Sequence, residues 1–182
     1  MSISASRIRK IEEIASSLIK LADLEKPAID IKKIANFLDV AVMPYDLGNE
    51  ISGVLVLTDD KGTIGFNPSH TEQRRRFTIA HELGHYVLHK KNHNDVFVDR
   101  DFIVMYRRGN DEYSDAERIQ EQEANAFAAS ILMPQHLIEN ELKNNNYYAE
   151  FSEHDLIVKL SKTFKVSVVA MTFRLNNLSV LI

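Results

Sequence analysis

The chain contains no cysteine. Disulfide bonds, cysteine nucleophiles and thiolate metal ligands are therefore excluded, and any metal must be held by histidine, aspartate or glutamate. No apolar run approaches the length of a membrane span, and the charged N-terminus, "MSISASRIRKIEEIASS", lacks the apolar centre of a signal peptide. We therefore expect a cytoplasmic protein that has no membrane-spanning segment.

A large excess of charge of one sign is also missing. The 182 residues carry a net charge of −4, which gives no sign of a general nucleic-acid or anionic-membrane binder. No glycine-rich phosphate loop is present. Hydrophobic residues make up 45% of the chain and charged residues 26%, and these proportions are typical of a folded globular domain.

The order of hydrophobic patterns predicts an α+β fold, in which helices surround a small antiparallel sheet. "ISGVLVLT", the turn "DDKG" and "TIGFN" predict a β-hairpin. "VAVMPYDL" before the hairpin and "DFIVMY" after it are also strand-like. Helix patterns with polar caps or following breaks predict seven helices, at about residues 5–24, 31–38, 72–90, 115–133, 135–144, 153–164 and 168–176.

Two regions are expected within this fold. Residues 1–134 should contain the N-terminal helices, the hairpin sheet and the helices of a metal site. Residues 135–182 should form a C-terminal helical region that packs on the first region as one compact unit. Its last two helices, joined at "TFKVSV", resemble a helix-turn-helix, although a net charge of +2 over residues 152–182 is small for a phosphate-binding surface.

The motif "HELGH" predicts a metal site. His81 and His85 are four residues apart in a predicted helix, so both imidazoles can point at one metal ion. Glu82 is one step further round the helix, where its carboxylate can reach a water molecule without binding the metal itself. Two neutral nitrogen ligands, an open position and a nearby base are the parts of a water-activating zinc site. The alternative is an ordinary helix that contains these residues by coincidence.

The helix in "SDAERIQEQEANAFAASILMP" offers Glu117, Glu121 and Glu123 as a third ligand. We place Glu121 on its buried apolar side and Glu123 about 200° further round. A carboxylate on a core-facing stripe is unfavourable unless it is paired or bound to metal, which favours Glu121. Asn125, one turn later, could orient Glu121 by a hydrogen bond. A solvated carboxylate remains the alternative for Glu117 and Glu123.

Four further features bear on function. His136 and Tyr106 are candidates for stabilising an oxyanion. Gly84, in the middle of a helix, costs about 1 kcal/mol relative to alanine and suggests close approach of another backbone. The basic run 74–76 is either a solvated face or a contact for an acidic substrate segment. An edge of the hairpin sheet could hold an extended substrate by strand addition.

Three segments, "RRRFTIAHELGHYVLH", "EQEANAFAASILMP" and "LSKTFKVSVVAMTFRLNNL", together resemble the ImmA/IrrE family of zinc metallopeptidases over roughly residues 28–178. The resemblance implies a gluzincin-like fold and one zinc ion per chain, or another divalent metal. His81, His85 and the glutamate of "EQEAN" would be the ligands and Glu82 the general base. It also implies a cytoplasmic endopeptidase that cleaves a helix-turn-helix transcriptional repressor to switch on a mobile-element or stress response. The competing function is a DNA-binding or antitoxin-like module without proteolysis.

Overall fold

The computed structural model describes residues 3–48, 50–58, 61–90, 96–100, 114–144 and 151–179. Within these residues the predicted α+β class and the seven predicted helices are confirmed. The helices are α1 Ala5–Leu21, α2 Ile31–Phe37, α3 Glu72–His89, α4 Asp115–Leu132, α5 Gln135–Asn144, α6 Glu153–Phe164 and α7 Val168–Asn177. The strands are β1 Val40–Pro44, β2 Ile51–Thr58, β3 Lys61–Phe66 and β4 Val96–Arg100.

Polar caps determine where α3 and α4 begin. The Thr71 hydroxyl accepts a hydrogen bond from the Arg74 backbone N–H at the start of α3. At the start of α4, the Ser114 hydroxyl accepts from the Glu117 N–H, and the Glu117 carboxylate accepts from the Ser114 N–H at 2.7 Å. This capping box, expected from the sequence, satisfies two N–H groups that lack partners within the helix.

The four strands form one mixed sheet in the order β1-β3-β2-β4. β2 and β3 form the predicted antiparallel hairpin, in which Leu55 lies opposite Ile64. β1 is parallel to β3, so the prediction of a wholly antiparallel sheet is wrong for this strand. A strand pattern indicates which side chains are buried but not which neighbour the strand takes. Here β3 lies between the two strands β1 and β2, which are consecutive in the sequence.

β4 lies in a stretch for which the sequence patterns above predict neither a helix nor a strand. It pairs antiparallel with β2, with a shift of register between Ile51 and Gly53. Because β1 covers β3 and β4 covers β2, neither hairpin strand forms an edge of the sheet. The edges of the described sheet are β1 and β4, so strand addition by an extended substrate stays a prediction, for these two strands and not for β2 or β3. The strand-like "DFIVMY" falls outside the described residues.

α3 is the central helix of the fold. It packs against β2 and β3 on one side and against α4 on the other, while α1 packs against α4. A Cβ atom on Gly84 would lie 2.9 Å from the Ala124 Cα and 3.1 Å from its carbonyl oxygen. Glycine therefore allows the backbones of α3 and α4 to approach closely, which confirms the prediction for this residue. Fully buried side chains around this layer include Leu55, Ile64, Leu83, Phe127 and Ile131.

Arg174 of α7 contacts residues on the other side of the predicted boundary at residue 134. Its side chain is buried, with Nε donating to the Met133 carbonyl oxygen at 2.9 Å and Nη1 to Glu12 Oε1 at 2.6 Å. The guanidinium therefore connects α7 to α1 and to the end of α4. Among the described helices, none has both the length and the apolar character needed to cross a lipid bilayer.

Candidate metal centre

His81 and His85 project from the same face of α3 into a buried position. They are 3% and 2% exposed, and their ring centroids are 4.7 Å apart. Their Nε2 atoms are only 3.1 Å apart. The spacing of four residues therefore has the consequence expected for an α-helix, in which side chains at i and i+4 lie one above the other.

Glu121 of α4 completes the group. Its Oε2 lies 3.3 Å from His81 Nε2, and its Oε1 lies 3.1 Å from His85 Nε2. The three potential ligand atoms all lie within 4.8 Å of one another. Two ligands bonded tetrahedrally to zinc at 2.0–2.1 Å are about 3.3 Å apart. The three groups therefore fit a small divalent cation in both chemistry and spacing.

The protonation states of two of these side chains also suit metal binding. Burial lowers the pKa of His85 by more than its hydrogen bond to Glu121 raises it, so the imidazole is neutral at pH 7. Burial by itself would raise the pKa of Glu121, but the neighbouring His81 and His85 imidazoles outweigh this effect and lower it to about 2. A neutral imidazole and an ionised carboxylate are the forms that bind metal.

Asn125 contacts His81 rather than Glu121. Its Oδ1 lies 3.0 Å from His81 Nδ1 and can only accept, so Nδ1 carries the hydrogen of the neutral ring. The lone pair of His81 Nε2 is then directed toward the Glu121 carboxylate, an acceptor. A cation between them would relieve this conflict. Asn125 was expected to orient Glu121, but the residue it contacts is His81, and its orienting role stays a prediction.

Glu82 is fully buried and lies on the side of α3 that packs against the sheet. A Cβ atom on Gly53 of β2 would lie 3.4 Å from Glu82 Oε1 and 2.3 Å from the Thr78 methyl group. Glycine at residue 53 therefore leaves space for this part of α3, including the Glu82 carboxylate. Gly53 carries no prediction from the sequence, although a glycine inside a strand pattern is a known sign of close backbone approach.

Glu123 is more buried than Glu121, contrary to the prediction that Glu121 lies on the buried side of the helix. The Glu123 side chain is 9% exposed, whereas the Glu121 side chain is 26% exposed, so the expected order of burial is reversed. Arg7 of α1 donates Nε and Nη2 to the two Glu123 oxygens at 2.6 and 2.7 Å. The alternative that Glu123 is a solvated carboxylate is therefore wrong. The reason is that α4 is covered by α1 as well as α3, so it has two buried faces and not one.

His89 is buried beside this ion pair and outside the candidate ligand group. Its Nε2 lies 3.3 Å from the Gln120 carbonyl oxygen and 3.7 Å from Glu123 Oε2. Glu117 is exposed and belongs to the cap of α4, in agreement with a solvated position. The structure thus separates the three glutamates into a cap, a partner of the histidines and a partner of Arg7.

The candidate metal group opens into a cleft of about 940 Å³. His81, Glu121 and Asn125 lie along one part of its lining, and α6 and α7 supply much of the rest. His136 lines a different pocket, with Glu12 and Arg174, so its proposed oxyanion role has no support from this arrangement. Tyr106, the other candidate, falls outside the described residues.

Comparisons with known proteins identify two to which this chain is similar. The chain is 28% identical over 126 residues to "Uncharacterized immunity region protein 2" of Bacillus phage phi105, which covers 69% of each protein. Its fold is similar to that of a Mycobacterium tuberculosis transcriptional regulator, with a TM-score of 0.60 and 17% identity. That match covers 92% of this chain and 46% of the regulator, so the chain spans less than half of the regulator's length.

The family comparison covers most of the candidate site. The model of Peptidase_M78, the IrrE N-terminal-like domain, matches residues 35–176. This range includes α3, α4 and the C-terminal helices, and it starts after α1, which supplies Arg7. This chain belongs to the Peptidase_M78 family of IrrE N-terminal-like domains, a family of the metallopeptidase type.

Proposed function

We propose that this protein is a zinc-dependent endopeptidase that cleaves a transcriptional regulator in the cytoplasm. The convergence of two histidine nitrogens and one carboxylate at the side of a large cleft is the observation that carries the proposal. Three protein ligands that leave one position open are typical of catalytic zinc sites. Imidazole and carboxylate donors without thiolates also suit zinc, although other divalent metals accept them.

Each residue of the centre has a distinct role in this proposal. His81, His85 and Glu121 hold the metal, and Asn125 holds the His81 ring in the tautomer whose Nε2 lone pair can bind it. The metal would supply Lewis-acid chemistry, which polarises the scissile carbonyl and makes water more acidic. Glu82 is the general base, since it follows His81 directly in α3 and is the remaining carboxylate of the HELGH motif.

Hydrolysis then proceeds in two steps, addition of water to the scissile carbonyl and elimination of the amine. The water oxygen bonds to the carbonyl carbon while Glu82 takes a proton from that water. The carbon–nitrogen bond breaks, and Glu82 returns the proton to the leaving amine. The products are a new carboxylate terminus and a new amino terminus, and Glu82 is again ionised for the next cycle.

A regulatory protein as the substrate is supported by the relatives. One similar protein is described as an immunity region protein of a phage, and the structural neighbour is described as a transcriptional regulator. The family resemblance adds cleavage of a helix-turn-helix repressor that controls a mobile element or a stress response. We include this substrate in the proposal, with the cytoplasm as the compartment where such regulators act.

DNA binding through the C-terminal helices is less well supported. α7 occupies the position of a recognition helix, but its arginine, Arg174, is buried against Met133 and Glu12. Its most exposed large side chains are Val169 and Phe173, which are 64% and 66% exposed. Phosphate contacts require exposed basic or polar groups, so this face suits an apolar partner better. We therefore propose that residues 135–182 form part of the peptidase.

The test combines metal analysis with a cleavage assay. Wild-type protein, Glu82→Gln and His85→Ala would be purified, and their zinc content would be measured. They would then be incubated with a helix-turn-helix regulator encoded nearby and with unrelated folded proteins, and fragments would be identified by mass spectrometry. We expect one specific cut by the wild type, metal without cleavage for Glu82→Gln, and loss of both for His85→Ala.

Two results would contradict the proposal. Cleavage by Glu82→Gln at the wild-type rate would exclude Glu82 as the general base. Salt-sensitive binding to DNA without cleavage of any regulator would favour the DNA-binding alternative. Circular dichroism of each variant would establish that loss of activity does not arise from unfolding.

A further inference from the structure

The cleft beside the metal centre has an exposed apolar wall on α7. Val168, Val169 and Phe173 are 40%, 64% and 66% exposed, and all three line the cleft. Val169 and Phe173 are four residues apart in the helix, so their side chains lie on one face. Single exposed apolar residues are ordinary, but three neighbouring ones in a concave surface indicate a binding site.

Phe77 connects this apolar wall to the metal centre. It is half-buried in α3, one turn before His81, and its ring is inclined by 29° to the His81 ring with 6.4 Å between centroids. Phe77 also lines the cleft, as do His81 and Glu121. A chain that places a peptide bond at the metal centre would therefore have apolar surface within reach of its neighbouring side chains.

The exposed charged side chains of the cleft are mainly basic: Arg74, Lys162, Lys165 and Glu72. Lys165 and Glu72 form an ion pair at 3.5 Å, and Arg74 donates two hydrogen bonds to the Ser52 hydroxyl. Lys162, in the last turn of α6, adds a further positive charge. The cleft therefore favours an occupant that carries negative charge near its apolar side chains.

We propose that Val168, Val169 and Phe173, the apolar wall, determine the substrate specificity of this peptidase. The occupant is a segment of the substrate protein with a large apolar side chain beside the scissile bond and acidic residues nearby. The apolar side chain packs against the apolar wall, and the acidic residues face Lys162. This inference rests on the proposed endopeptidase function and adds a chemical class of cleavage sequence to it.

The test is a cleavage profile on a library of peptides prepared from a digested proteome. The zinc-loaded wild type would be compared with Phe173→Ser, Val169→Ser and Lys162→Glu, and the cut sites would be read by mass spectrometry. Phe37→Ser is the matched control, since Phe37 is 50% exposed on α2 and does not line the described cleft.

We expect leucine, isoleucine, methionine or phenylalanine beside the wild-type cuts, with acidic residues close by. Loss of one large apolar contact should lower that preference about tenfold in Phe173→Ser. Lys162→Glu should weaken the preference for acidic residues, and Phe37→Ser should reproduce the wild-type profile. A wild type that cleaves without an apolar preference, or a Phe173→Ser profile equal to wild type, would overturn the inference while the peptidase function stands.

A binding assay separates failure of the inference from failure of the peptidase proposal. The probe is a fluorescein-labelled 12-residue peptide with a central Leu-Phe pair between aspartates, and its control carries lysines in place of the aspartates. The Glu82→Gln protein should bind the aspartate peptide more tightly than the lysine control. Adding Phe173→Ser should weaken binding of the aspartate peptide about tenfold. If this binding is observed but the wild type cleaves nothing, the peptidase proposal is refuted and the binding role of the apolar wall stands.

Binding that does not depend on Phe173, or no binding at all, would overturn the inference. Sedimentation of wild type and Phe173→Ser adds one further check. A wild-type dimer that becomes monomeric in the variant, with an unchanged cleavage profile, would identify the apolar wall as a surface for self-association and so exclude the proposed role.

Discussion

Replacing Arg7 with alanine tests how strongly α1 is joined to the helix that carries Glu121. The change removes both hydrogen bonds to Glu123, which are 2.6 and 2.7 Å long, from a carboxylate whose side chain is only 9% exposed in the wild type. Breaking a fully buried ion pair by removing one partner costs about 3–5 kcal/mol, and an exposed pair contributes about 0–1 kcal/mol. Because one-third of the Arg7 side chain is exposed, we expect an intermediate loss of about 2 kcal/mol.

The free energy of unfolding would be measured by urea denaturation of metal-free protein, because a metal that binds only the folded state would add its own stabilisation. Arg9→Ala is the control, since Arg9 is an exposed arginine in the same helix. We expect the control to change stability by less than about 0.5 kcal/mol. The double variant Arg7→Ala/Glu123→Ala should lose less than the sum of the two single variants, because no buried carboxylate is then left without its partner.

The same pair predicts how the loss depends on pH. The hydrogen bond from Arg7 holds the pKa of Glu123 below its ordinary value of 4.5. The pair therefore stabilises the folded state fully above pH 4.5, and this stabilisation is lost as the pH falls through the lowered pKa. The difference between wild type and Arg7→Ala should shrink below pH 4.5. A loss no larger than that of Arg9→Ala at pH 7 would refute the reasoning.

Three further predictions concern the metal centre and its support. Glu121→Ala should release the metal, whereas Glu123→Ala should retain it despite its lower stability, and zinc titration with a chelator as competitor would reveal the reverse order if the assignment were wrong. Asn125→Ala should weaken metal affinity about 10–100-fold, because the His81 ring loses its hydrogen-bond partner, and an unchanged affinity in the same titration would contradict that role. Gly84→Ala should destabilise the protein by about 1–3 kcal/mol in urea denaturation, because the added methyl group meets the backbone of Ala124 at 2.9 Å. Alanine by itself favours helices, so a more stable variant would disprove the close packing.

Local sequence patterns were sufficient for most of the secondary structure. Caps such as Ser114 and the spacing of apolar residues depend on neighbours within a few positions, and the seven predicted helices are present. The pair His81 and His85 also follows from local geometry, since four residues in a helix bring two side chains to one face. The strand β4 was not predicted because it is short and two of its five residues are charged.

Pairing between distant segments could not be obtained in this way. The parallel contact of β1 with β3 depends on how the chain returns after β1, and the hydrophobic pattern of β1 is compatible with either direction. The hairpin was predicted correctly because its two strands are joined by a short turn, which limits the possible pairings. The identity of the edge strands is therefore a property of the whole sheet.

The positions of the glutamates of α4 in the folded protein could not be predicted from local sequence alone. Their spacing along the helix was known from the sequence, but a stripe of apolar residues indicates only one buried face. The structure buries Glu123 because α1 lies against α4 and supplies Arg7 from 116 residues away. It brings Glu121 to His81 and His85 because α3 crosses α4 where Gly84 permits close approach. The sequence by itself determined which side chains can bind a metal, and the packing of three helices decided which carboxylate lies beside the histidines, since that depends on contacts between residues far apart in the chain.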